Sequence, residues 1–154
     1  MSAKPAADQV TRKCVGYETV LNVKPTIVAP DASLDIVFHW SVFTHLYPAE
    51  SYLYVVDVFR ALKPGGKMIF SFLEREDPHH DIVWQNNLNH LRRGDATIQL
   101  DTFLHRDWIN RFAHDAGFTQ PQFTDGSDGS NHPPVWQALA VMEKPKSPNN
   151  LGAP

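Results

Sequence analysis

Residues 31–72 read DASLDIVFHWSVFTHLYPAESYLYVVDVFRALKPGGKMIFSF, and this stretch decides the fold class. Leu34-Asp35-Ile36-Val37-Phe38 is a short apolar run entered from the turn signal Pro30-Asp31-Ala32-Ser33, which predicts a strand. Pro48-Ala49-Glu50 then opens a helix, because proline suits a first helical turn and a carboxylate suits the positive end of the dipole. Tyr52, Val55, Val56, Phe59 and Leu62 share one face at helical spacing. Lys63-Pro64-Gly65-Gly66 reads as the stop and tight turn after that helix. Lys67-Met68-Ile69-Phe70-Ser71-Phe72-Leu73 is apolar enough for a strand covered on both faces. Strand, helix, turn and strand make a parallel crossover unit, so the fold class is α/β.

Downstream, Trp84, Leu88 and Leu91 predict a helix ending near Gly94. A second helix is expected over 105–116, with Trp108, Ile109, Phe112 and Ala116 on one face and Gly117 as its stop. A short strand near 119–124, a polar loop and a last strand over 135–143 complete the pattern. Residues 1–13 show no periodicity and read as a flexible N-terminus, and 145–154 as a disordered tail. Residues 14–144 form one domain.

The bulk numbers exclude several function classes. Seventeen acidic against 14 basic residues, a net charge of −3, leave no basic footprint for nucleic acid or for an anionic membrane. No apolar run has transmembrane length and no apolar leader opens the chain, so the expected location is cytoplasmic. A single cysteine, Cys14, excludes an internal disulfide and any cysteine-built zinc cage.

Four segments in register carry a family resemblance. Asp31-Ala32-Ser33-Leu34-Asp35-Ile36-Val37-Phe38 resembles the fourth strand and lead-in of class I, S-adenosylmethionine-dependent methyltransferases. His39-Trp40-Ser41-Val42-Phe43-Thr44-His45-Leu46 is similar to their post-strand loop, and Arg60-Ala61-Leu62-Lys63-Pro64-Gly65-Gly66-Lys67 to the turn before their fifth strand. Ala116-Gly117-Phe118 resembles the end of their last helix. The resemblance covers roughly residues 20–144 and implies a partial Rossmann-like sheet, mostly parallel, with an antiparallel last strand and flanking helices.

The resemblance also implies S-adenosylmethionine as cofactor, lying at the carboxyl ends of the strands where open α/β sheets bind ligands. Asp31, His39, Trp40 and Ser41 are the candidate cofactor-contacting residues, with His45 as base or substrate-orienting group. Glu74, after the fifth strand, is the candidate substrate-contacting carboxylate. His45 can equally cap its loop and Trp40 can belong to the core. Two features that hold the cofactor in the family have no counterpart here. None of the eight glycines forms G-x-G after a strand, and about thirty residues before Asp35 are too few for three strands with crossovers of ~10–12 residues each. The cofactor half is therefore expected to be absent. Methyl transfer to a small molecule would then require a dimer or partner chain.

Such a chain leaves the strand at 34–38 on an apolar sheet edge, which invites pairing. Residues 14–29 folding back, a second copy, or a separate chain would cover it; a homodimer through 34–38 is the expectation. Asp77-Pro78-His79-His80-Asp81 is the densest set of potential ligands for a divalent metal, with His79, His80 and Asp81 as the candidates. They would serve a repurposed hydrolase acting on esters or lactones, and otherwise form a solvated loop. A non-catalytic dimerising interaction module is the third reading. The acidic loop with Asp125, Ser127, Asp128 and Ser130 fits neither a serine nucleophile nor an EF-hand.

Overall fold

The computed structural model describes residues 11–14, 17–20, 22, 24–95, 100–126 and 136–146. A short antiparallel pair, β1 (Thr11–Cys14) and β2 (Tyr17–Val20), stands apart from the main sheet. β1 lies partly within the segment expected to be a flexible N-terminus, and residues 1–10 of that segment lie outside the described residues. The main sheet contains β3 (Leu34–His39), β4 (Leu62–Phe72), β5 (Gln122–Thr124) and β6 (Ala138–Glu143), in the order β3-β4-β6-β5. β3 pairs parallel with β4, whereas β6 runs antiparallel to both β4 and β5. Three strands share one direction and the last opposes them, as the resemblance implied.

Helices α1 (Pro48–Ala61) and α3 (Arg106–Ala116) pack on each other and cover one face of this sheet. The core lies between: Val37, Met68, Phe70, Phe72, Ala138, Ala140 and Met142 from the strands meet Val55, Val58, Ile109 and Ala113 from the helices. Alternate strand residues point to the other face. There Ile36 and Phe38 are 60% and 57% exposed, and Ile69 and Val141, in register with Phe38, are half-buried. Helix α2 (Asp81–Arg93) docks elsewhere, through the side-chain amide of Asn87. That amide donates to the carbonyl of Asp101 at 2.7 Å and accepts its N–H at 3.2 Å.

Three helix and turn assignments shift. α1 buries Ser51, Val55, Val58 and Ala61, while Val56, expected on the inner face, is exposed. α2 buries Val83 and Asn87, and Leu91 faces solvent. Lys63-Pro64-Gly65-Gly66 is not a free turn. The chain becomes extended at Leu62, and these residues form a bulge at the start of β4, between the pairs Leu34–Leu62 and Ile36–Lys67. Gly65 takes φ +81, and its N–H donates to the carbonyl of Lys144 at 2.8 Å. A Cβ on Gly66 would sit 2.9 Å from the carbonyl oxygen of Lys63 and 3.1 Å from that of Asp35, so only glycine fits. The Lys144 ammonium donates to the carbonyls of Phe59 and Leu62 at 2.6 and 2.8 Å, which caps the end of α1.

Arg60 fastens the lead-in of β3 to α1. Its guanidinium donates to Asp57 Oδ1 and Oδ2, to the carbonyls of Ile27 and Ala29, and to Asp31 Oδ1 at 2.6 Å. The hydrogen bond from Arg60 holds the Asp57 carboxyl below its ordinary pKa. A depressed carboxylate stabilises the fold above its unfolded pKa, about 3.9, and loses that contribution as pH falls through the lower folded value. Arg60→Met is expected to cost about 2 kcal/mol at pH 7, and less at about pH 3, below the unfolded pKa, where the contribution of the paired Asp57 carboxylate is being lost. Urea denaturation of both proteins at pH 7 and at pH 3 measures this; an equal loss at both pH values would contradict it.

Candidate functional site at the carboxyl ends of the strands

The carboxyl ends of β3 and β4 lie side by side, with His39 in register with Phe70. Beyond β3 the chain turns sharply at Ser41, a non-glycine residue at φ +52. Strain of this kind, about 1–3 kcal/mol, persists only where the surroundings over-determine it. Here they do. The Ser41 N–H donates to Ser71 Oγ on β4 at 2.8 Å, Ser41 Oγ accepts from Gln137 Nε2 at 2.7 Å, and the Ser41 carbonyl accepts from Thr44 Oγ1. The serine thus stitches β3, β4 and the approach to β6 together, and its hydroxyl is already engaged. His39 packs edge-on against Phe43 and Tyr54, and burial lowers its pKa, so it is neutral at pH 7. Its Nδ1 and the Gln137 Oε1 are buried atoms with no hydrogen-bond partner. Trp40 is 43% exposed and stacks on Phe38, which places it outside the core. Trp108 and Trp136 are exposed to a similar degree.

Asp31 does not join this group. It precedes β3 and belongs to the Arg60 network at the opposite end of the strand. Six residues at about 3.3 Å each separate it from the carboxyl end by roughly 16 Å or more. Nearness in the sequence motif is not nearness in space when a strand lies between.

His45 and Glu74 occupy two ends of one strip. Segment 101–106 runs along both: Thr102 N–H donates to the Thr44 carbonyl and Leu104 N–H to the Leu73 carbonyl. Asp101 sits 3.5 Å from His45 Nδ1, and at the other end Arg106 grips Glu74. The Glu74 carboxylate is buried, and its Oε2 accepts from Arg106 Nε at 3.0 Å and Nη2 at 2.8 Å. Arg106 also donates to Asp125 and lies over the Phe123 ring. Glu74, Glu76, Asp77, His79, Arg106 and Asp125 line a cleft of about 350 Å³. Neither Arg106 nor Asp125 was a candidate from the sequence. One signal was present: a cation opening a helix opposes the dipole and implies a carboxylate partner.

His79, His80 and Asp81 do not converge. Asp81 pairs with Arg75 at 2.6 Å, and the exposed His79 pairs with Asp77 at 2.9 Å. His80 is fully buried: its Nδ1 accepts the Glu74 N–H at 2.9 Å, and its Nε2 donates to the Trp136 carbonyl at 2.8 Å. With both ring nitrogens committed to the backbone, His80 has no lone pair for a metal. Among the described residues no group of three or more His, Cys, Asp or Glu is placed to hold an ion. The sequence pattern reflects a structural clamp. Ser127, Asp128 and Ser130 lie outside the described residues.

The residues present do not by themselves suit S-adenosylmethionine. His39 and Trp40 stand at the expected place, but Asp31 is distant and the Ser41 hydroxyl already accepts a hydrogen bond from Gln137. No helix among the described residues is long and apolar enough to cross a membrane.

No family model matches the chain. Solved structures do resemble it. A Thermotoga maritima protein described as an S-adenosylmethionine-dependent methyltransferase, possible histamine N-methyltransferase, superposes with a TM-score of 0.57 at 14% identity. That match covers 78% of this chain and 60% of the other. A methyltransferase from Methanosarcina mazei gives 0.53 at 14% identity, covering 80% and 65%. A possible exported protein from Bordetella parapertussis gives 0.55 at 19% identity, covering 77% and 41%. The chain therefore spans about two-fifths to two-thirds of the length of these structures. It carries the class I S-adenosylmethionine-dependent methyltransferase-like α/β fold, over part of that fold's length.

Proposed function

We propose that this chain is the acceptor-side portion of a small-molecule methyltransferase, competent when a further strand with a cofactor-holding loop lies beside β3. The observation that carries the reading is β3, which among the described residues pairs on one side only and exposes apolar side chains beside its other edge. S-adenosylmethionine, when bound, supplies an electrophilic methyl group. This chain's part is to enclose and orient the acceptor, and alignment supplies most of the rate enhancement in such transfers. The Glu74–Arg106 pair fixes the wall of the cleft where the acceptor would sit, and His45, held near Asp101, borders the same strip.

The test uses the protein isolated from its source cells with everything bound to it. Calorimetric titration with S-adenosylhomocysteine is expected to show saturable binding, and Phe38→Lys, which obstructs strand addition at β3, to abolish it. Absence of binding by the native assembly would refute the reading. The same edge favours a second reading, a non-catalytic dimerising module, which predicts no binding of that ligand in any assembly. The hydrolase reading gains no support from His79, His80 and Asp81, which point apart.

A further inference from the structure

No further inference is drawn: the strongest candidate, the acidic cleft at the carboxyl end of β4, belongs to the site already described and rests on a cluster of carboxylates, Glu74, Glu76, Asp77 and Asp125, each of which is paired within the fold with Arg106, His105 or His79.

Discussion

Arg106→Ala is expected to lower stability by about 3 kcal/mol. Breaking a buried ion pair typically costs 3–5 kcal/mol, because the remaining charge is left desolvated; Arg106 is 36% exposed, which places this pair at the low end. Glu74, buried beneath it, would keep a carboxylate without its two hydrogen bonds. The first turn of α3 would lose its tie to β4 and to Asp125 together. The double variant Glu74→Leu/Arg106→Leu should cost less than Arg106→Ala alone, since no charge then remains without a partner. Urea midpoints at constant m-value separate these outcomes. If Arg106→Ala matched the wild type within 0.5 kcal/mol, roughly the scatter of ordinary surface substitutions, the pair would be a solvated contact and not a wall of the cleft.

His80→Ala carries the other large effect, about 3–4 kcal/mol. Truncation leaves the Glu74 N–H and the Trp136 carbonyl without partners, at roughly 1–3 kcal/mol for each buried group, and opens a cavity beside the T-shaped contact with Trp136. His80→Gln can still place an amide N–H near the Trp136 carbonyl, and His80→Asn an acceptor near the Glu74 N–H. Both should fall between the wild type and alanine. In a chain of this size about 1 kcal/mol moves the melting temperature by roughly 2–4 °C, so calorimetry should show a drop of about 6–16 °C for alanine. A melting point within 2 °C of wild type would show that Trp136 and Glu74 are held by something else.

The two residues differ in how far the sequence announced them. His80 was conspicuous, but as a ligand: adjacent histidines beside aspartates have the composition of a metal site. Only their separate directions, one ring inward and one outward, show otherwise. Arg106 offered no more than a cation at the start of a helix, because its partners, Glu74 and Asp125, lie 32 and 19 residues away and meet it only in the assembled fold. The strands and helices were legible because periodicity is local. Helix faces were less so: in α2 the buried polar side chain is Asn87, and no hydrophobic pattern marks an asparagine that pairs with a backbone. Lys63-Pro64-Gly65-Gly66 was legible as a break yet ambiguous in kind, since glycines that permit a turn also permit a bulge. Asp31 shows the limit of reading a site from a contiguous motif, because the strand that follows carries the chain away from it.

The placement of β4 has a consequence for how the chain is made. β4 pairs on one side with β3, where His39 meets Phe70, and on the other with β6, where Phe70 meets Ala140, seventy residues later. On a ribosome adding about 5–20 residues each second, the second side of β4 waits several seconds for its neighbour. Long-range pairings of this kind are slow to form and leave strand edges open meanwhile. Val37, Phe70 and Phe72 would have only α1 for cover until residues 106–116 are made, and α1 with α3 thereafter until β6 arrives. Newly made protein should therefore be most prone to aggregate while β6 is still being synthesised, and slower elongation across residues 75–137 should lower the soluble yield.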